Sequence, residues 1–275
     1  MPLPDNFVFS QSSLQDYVEC ARRFELRYMK QLKWPAIEAE PVADRERHMR
    51  GGADFHHMIH QHMLGIPADR LLSAAKDPDL RRWWTVYLRD PFVSRLPEIR
   101  YPEVALSTWV EGHRLVAKYD LVTVQPGEGV TIVDWKTSRR KPTRDRLLSR
   151  MQTVVYRYVL ASAGAQLNAG QDIPPGQIEM VYWFVEDPTN LERFLYDEDE
   201  FKADADQIVG LLAQIAERTR FDLTTDTKRC RFCAYRSLCE RGIEAGHEDD
   251  MDAEIEDGPG FDLDLDFDQI AEIEF

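Results

Sequence analysis

The 275-residue chain is short of positive charge, of cysteine and of long apolar stretches. Its 34 Lys+Arg face 49 Asp+Glu, for a formal net charge of −15. Taken whole, that balance argues against a nucleic-acid partner, because phosphate binding depends on Lys and Arg. The longest unbroken apolar run, Met180 to Val185, falls far below the roughly 20 residues of a membrane-spanning helix. The opening Met-Pro-Leu-Pro-Asp has no basic or apolar leader pattern, so no secretory signal and a cytoplasmic location are expected. Four cysteines in a chain of this length do not make a disulfide-stapled fold, and a reducing compartment would keep them as thiols. No internal repeat is evident. What remains is 43% hydrophobic, enough for one large domain or two modest ones.

The acidity is not evenly spread. Residues 244–275 hold fourteen acids and no Lys or Arg, which leaves 35 acids and 34 bases in residues 1–243. The composition of 244–259 reads as a disordered tail. The last fifteen residues, FDLDLDFDQIAEIEF, alternate apolar and acidic side chains. This tail is expected either to dock on a basic surface, its own or a partner protein's, or to serve as a solubilising appendage. The body, near neutral, is where chemistry is to be sought.

Along the body, a helix is expected from Ser12, with Ser12 and Gln15 as a capping box and Leu14, Tyr17, Val18, Ala21, Phe24 and Tyr28 at helical spacing. A proline-containing connector covers Trp34 to Pro41. Helices are expected over about 44–64 and 69–89. The period then changes. Val104 to Val110, Arg114 to Val124 and Val130 to Trp135 are rich in β-branched and aromatic residues and predict consecutive antiparallel strands. A helix over 143–163, an apolar strand over 177–186, a short strand near Phe194 and a helix over 198–218 follow. The order predicts a mixed α/β domain with an early helical insertion.

The segment VAKYDLVTVQPGEGVTIVDWKTS is the most informative. Its Gln125-Pro-Gly-Glu-Gly129 turn suits a tight reversal. A hairpin symmetric about Gly127 sets Asp120 opposite Asp134, with Lys136 on the same face as Asp134. The two carboxylates repel unless a divalent cation lies between them. A lysine beside that cation can contact a phosphate or stabilise developing negative charge. The same register sets Lys118 opposite Lys136, so a twist or bulge is expected to separate them.

His56 and His60 are spaced to share a helix face, but no Glu follows either His as a metalloprotease helix would require. Gln152 and Tyr156 fall together on one flank of the 143–163 helix. From Lys136 to Arg150 there are seven bases (Lys136, Arg139, Arg140, Lys141, Arg144, Arg146, Arg150) and one acid, Asp145. The run is either a solvated face or the footprint of a phosphodiester. Cys230, Cys233 and Cys239 form a C-x2-C-x5-C cluster, with Cys20 far upstream. If the four converge, the spacing allows a structural zinc or an iron–sulfur cluster.

This constellation resembles the RecB-like branch of the PD-(D/E)XK nucleases that carries an iron–sulfur cluster, including CRISPR-associated adaptation exonucleases, the AddB nuclease domain and exonuclease V. SQSSLQDYVECARRFELRY, GGADFH, KYDLV, VDWKTS, QTVVY and CRFCAYRSLC carry the likeness, in that order, over about residues 8–240. The resemblance implies a restriction-endonuclease-like core, with a mixed central sheet flanked by helices and a four-cysteine cluster joining the N- and C-terminal parts. It implies that His56, Asp120 and Asp134 bind Mg2+ or Mn2+, helped by the Trp135 carbonyl. Lys136 would be the catalytic lysine, Gln152 and Tyr156 would support the site or the DNA, and Cys20, Cys230, Cys233 and Cys239 would hold a [4Fe–4S] cluster. Ala21 and Ala117 depart from the pattern, where Pro and Gly often stand, and neither removes a reacting group.

The expectation is therefore a nuclease domain over 1–243 with a helical insertion at about 44–97, a catalytic core at about 98–200, and a cysteine region at 20 and 228–240. Its expected activity is metal-dependent cleavage of DNA, most simply as an exonuclease on single strands or ends, with Arg139, Arg140, Lys141 and Arg144 on the backbone. The rival from another class is a non-catalytic DNA-end-binding or assembly subunit.

Overall fold

Strands form where β-branched and aromatic side chains cluster, and they build two sheets in the computed structural model of the chain. The model describes residues 3–4, 6–32 and 40–242, without the side chains of 40–46. The acidic segment 244–275 and most of the expected connector from Trp34 lie outside the described residues.

The larger sheet has the order β2 (Ile99–Pro102), β5 (Leu121–Gln125), β6 (Gly129–Lys136), β7 (Ile178–Phe184), β8 (Glu192–Leu195). A smaller one has the order β1 (Val8–Ser10), β4 (His113–Lys118), β3 (Ala105–Val110). β5 and β6 are antiparallel with Leu121 opposite Val133 and Gln125 opposite Gly129, the register expected from the turn. β6 and β7 are parallel, from Val130 opposite Ile178 to Lys136 opposite Phe184. A parallel pair needs a long crossover, here α7 (Arg144–Leu148) and α8 (Met151–Ala163).

Both faces of this sheet are covered, so β7 reads as an almost unbroken apolar run. Val122, Val124, Ile132, Met180 and Tyr182 pack with Val155 and Val159 of α8, Leu14 of α1 (Gln11–Glu19) and Leu212 of α9 (Glu198–Glu217). Leu121, Val133, Trp135 and Trp183 pack on the other side with Phe55 and Ile59 of α3 (Glu40–Met63) and Trp83, Trp84 and Tyr87 of α5 (Pro78–Arg89). The early helices, α3, α4 (Ala68–Ala74), α5 and α6 (Pro91–Ser94), are thus the second cover of the sheet.

Several elements are more broken than their periodicity predicts. Helix α1 starts one residue before Ser12, capped by a Ser10–Ser13 box rather than by Ser12 and Gln15. It stops at Cys20, whose backbone is extended (φ −160°, ψ 103°), before α2 (Ala21–Phe24) runs into a π-turn over Glu25–Met29. The expected 69–89 helix divides because Asp77 Oδ1 accepts from the amides of Asp79 and Leu80 and Pro78 opens α5. The 143–163 helix divides at Ser149–Arg150. There α8 has no side-chain cap of its own, and Gln15 Oε1 accepts from the Met151 amide at 2.9 Å. The expected 114–124 strand is two, β4 and β5, in different sheets. The break at Tyr119–Asp120 removes the Lys118–Lys136 conflict, and Lys118 pairs with Glu103 instead (2.6 Å).

Candidate active site

Three elements bring the sequence-derived residues together at one end of the central strands. One step beyond the Leu121–Val133 pair, Asp120 faces the Asp134–Trp135 stretch, and its Oδ2 accepts from the Trp135 amide at 2.9 Å. Helix α3 delivers His56 from the other side of the sheet, with Nδ1 3.2 Å from Asp120 Oδ1. Its neighbour Phe55 is fully buried in the second core, which fixes the helix rotation and turns His56 towards the strand ends. Close approach is made possible by Gly52, since a Cβ there would meet Thr137 Oγ1 at 2.9 Å. That contact accounts physically for glycine four residues before His56.

Asp134 is 2% exposed. Its Oδ2 lies 2.9 Å from Lys136 Nζ, and its Oδ1 accepts from Gln152 Nε2 at 2.7 Å. Lys136 also donates to Gln152 Oε1 at 3.0 Å and lies over the Tyr182 ring at 5.6 Å. Gln152, in the first turn of α8, therefore grips both members of the D-x-K pair. Tyr156 sits one turn deeper, 4% exposed, its ring 4.8 Å from Tyr119 and its carbonyl accepting from the Tyr119 hydroxyl. It supports the wall behind Asp120 and also meets Gln11 Nε2 at 3.5 Å.

The charges are mutually adjusted. Burial alone would push the His56 imidazolium down, but the Asp120 and Asp134 carboxylates outweigh it and raise its pKa to about 9. Burial raises Asp120, but His56 and the Trp135 amide more than reverse this and hold it below the usual carboxylate range. His56, Asp120 and Glu103 offer one ligand atom each within 4.8 Å of one another. An imidazole nitrogen and carboxylate oxygens suit a divalent cation. Glu103 escaped the sequence reading. Its signal was its place at the start of the first strand of the meander, visible only once the pairing of that strand with Asp120 is known.

His62 lies 3.4 Å from the Tyr87 hydroxyl and edge-on to Trp84, a packing role within the helical cover. Of the basic run, Arg139 and Arg140 are exposed just beyond Lys136. Lys141 and Arg144 bind Glu192 (2.8 and 3.1 Å) and the carbonyls of Asn190 and Arg193, tying the loop after β6 to the β7–β8 hairpin. Arg150 is buried.

Cys20, in the break after α1, is within electrostatic reach of Cys230, Cys233 and Cys239, and all four are free thiols. Burial pushes Cys233 up to about 11, with Cys20 and Cys239 adding to the rise. Cys230 and Cys239 are raised by burial and then, among other groups, by Cys20. Thiols that oppose one another's ionisation are a donor set suited to a cationic centre. The surroundings join the ends of the fold: Arg229 meets Glu19 at 2.8 Å, the Arg22 amide donates to Asp222 O, and the Tyr235 hydroxyl donates to Leu32 O.

Among the described residues no helix is long and apolar enough to cross a membrane. Residues 8–240 match the family model for the PD-(D/E)XK nuclease superfamily. Among solved structures, a proposed exonuclease of Eubacterium rectale is similar at 10% identity and a TM-score of 0.52, covering 85% of this chain and 88% of that one. SSO0001 is similar at 14% identity and a TM-score of 0.43, covering 86% of each. No curated protein matches the sequence.

Proposed function

The chain belongs to the PD-(D/E)XK nuclease superfamily, and from that premise we propose that it is a Mg2+- or Mn2+-dependent deoxyribonuclease acting as an exonuclease on single-stranded DNA or DNA ends. The observation that carries this reading is the clamp in which Gln152 holds Asp134 and Lys136 beside the His56–Asp120 pair. A catalytically spent relative would have no reason to keep the lysine, both carboxylates and their amide support in contact.

In this reading His56, Asp120 and Asp134 hold the cation, with the Trp135 carbonyl. The cation supplies Lewis acidity and charge opposite to the phosphodiester. Lys136 places a fixed ammonium where negative charge develops on the phosphate. Gln152 keeps that ammonium and the Asp134 carboxylate in register. Tyr156 and Tyr119 back the strand end so that Asp120 cannot retreat from His56. Arg139 and Arg140, with Lys141 and Arg144 beside them, contact the DNA backbone.

Cys20, Cys230, Cys233 and Cys239 would hold a [4Fe–4S] cluster as a structural clasp, with zinc as the competing occupant. The thiol set supports a four-thiolate centre. Reduced thiols fit a cytoplasmic setting. The acidic segment 244–275 would bind a basic surface, on a protein partner or on the Lys136–Arg150 face. Truncation after Arg241 should then alter DNA affinity or partner binding, and no change in either would remove that role.

The reading is tested by incubating purified protein with end-labelled single-stranded DNA and Mn2+. Lys136→Ala is expected to lose cleavage by roughly a hundredfold or more with the fold intact by circular dichroism. Undiminished cation-dependent cleavage by that variant would remove the assignment.

A further inference from the structure

β2 and β3 pair with β5 and β4 in one continuous register. Pro102 lies opposite Leu121, and Ala105 lies opposite Lys118. The two residues between must therefore face Tyr119 and Asp120. They do: the Tyr119 amide donates to Val104 O at 2.8 Å, and the Glu103 amide donates to Asp120 O at 2.9 Å. The ribbon bends there as it passes from one sheet to the other. Glu103 takes the bend with a left-handed backbone, φ +52°, a conformation that is strained for an L residue and that glycine adopts freely. A strained residue at a site is a reason to look for its use.

Asp120 thus stands between two acids, Asp134 on β6 and Glu103 in the bend between β2 and β3. Lys118, the last residue of β4, holds Glu103 Oε2 at 2.6 Å. A carboxylate has two oxygens, so Glu103 can keep Lys118 on one and present the other. Its ligand atom, that of His56 and that of Asp120 lie within 4.8 Å of one another. Opposite ligands of a Mg2+ ion stand about 4 Å apart, so small side-chain rotations bring the three donors onto one ion.

We infer that Glu103 is a direct ligand of the divalent cation, joining His56 and Asp120, and that Lys118 positions it. The inference rests on the proposed function only in taking the His56–Asp120 pair as the metal centre. It adds a donor from the bend between β2 and β3, on the side of Asp120 away from β6.

The test is a Mn2+ titration of the full-length protein without DNA, by calorimetry, together with metal-free melting curves. Glu103→Gln is expected to raise the Mn2+ dissociation constant roughly tenfold or more, and Asp120→Asn to do the same. Glu103→Gly relieves the left-handed backbone, so it is expected to melt higher than wild type without metal yet bind Mn2+ more weakly. Lys118→Met, which removes the group that positions Glu103, is expected to weaken Mn2+ binding roughly tenfold. Glu103→Gln or Glu103→Gly binding Mn2+ as wild type does, while Asp120→Asn fails to bind, overturns the role of Glu103 and leaves the metal centre standing. Asp120→Asn binding as wild type removes the metal centre itself. If Glu103→Gly and Lys118→Met both melt lower with unchanged Mn2+ affinity, Glu103 is only the anchor of Lys118.

Discussion

At His56 two requirements pull in opposite directions. As a cation ligand it must be neutral, whereas beside Asp120 it is held protonated, with a pKa near 9 against roughly 6.5 for an ordinary histidine. In the metal-free protein the pair therefore contributes its full stability below about pH 6.5, where both folded and unfolded forms carry the proton. That contribution fades as the pH climbs through 9 and the folded imidazolium is lost. Melting temperatures of metal-free wild type and His56→Ala should converge between pH 6.5 and 9, and a gap that stays constant across that window contradicts the pairing. Cation binding must also expel the proton, so Mn2+ affinity should rise with pH over the same interval. Asp120, Asp134 and Lys136 could be placed from residue spacing alone, because strand alternation and the turn set who faces whom. Glu103 could not, because its partner is set by a strand pairing with its own register.

Helix α3 is the element on which the site depends most. One of its faces carries Phe55 and Ile59 into the core under β6, and the adjacent turn carries His56 to Asp120. Gly52 lets that helix approach Thr137, where a methyl would stand 2.9 Å from Oγ1. Gly52→Val should push the helix outward and lower kcat/KM roughly 10–100-fold, since misplacement near 1 Å costs that much, while the melting temperature falls only slightly. Equal activity in the variant would mean that the close approach is dispensable. Periodicity revealed α3, α9 and most of the strands, yet it missed β1 and β2 and merged β4 with β5, α4 with α5 and α7 with α8. Each helix division turns on a bond that hydrophobic spacing does not encode: the local Asp77 carboxylate on two amides in one case, a capping oxygen borrowed over a long range from Gln15 on α1 in the other.

For the molecule as a whole, the first and last described parts of the chain meet behind the catalytic end. Glu19 and Arg229, and Tyr17 and Arg218, bridge segments about two hundred residues apart, and Cys20 comes within electrostatic reach of Cys230, Cys233 and Cys239. If a cluster clasps them, anaerobically purified protein will be brown and contain iron, and Cys20→Ser will lose the iron and at least roughly 5 °C of melting temperature. A colourless preparation with stoichiometric zinc would reassign the clasp. The net charge of −15, which first argued against nucleic acid, belongs to residues 244–275; the body is nearly neutral and carries a basic run beside the site. The order of elements, the opposed Asp120 and Asp134, the lysine beside them and the cysteine spacing were determined by the sequence itself, because each depends on alternation, turn chemistry or short-range spacing. Only the tertiary structure decided that Glu103 joins Asp120, that Gln152 grips Asp134 and Lys136, that Gly52 admits α3, and that Lys141 and Arg144 of the basic run brace the β7–β8 hairpin. Those contacts join residues far apart in the chain, and their geometry is fixed by how two covered sheet faces pack rather than by any local pattern.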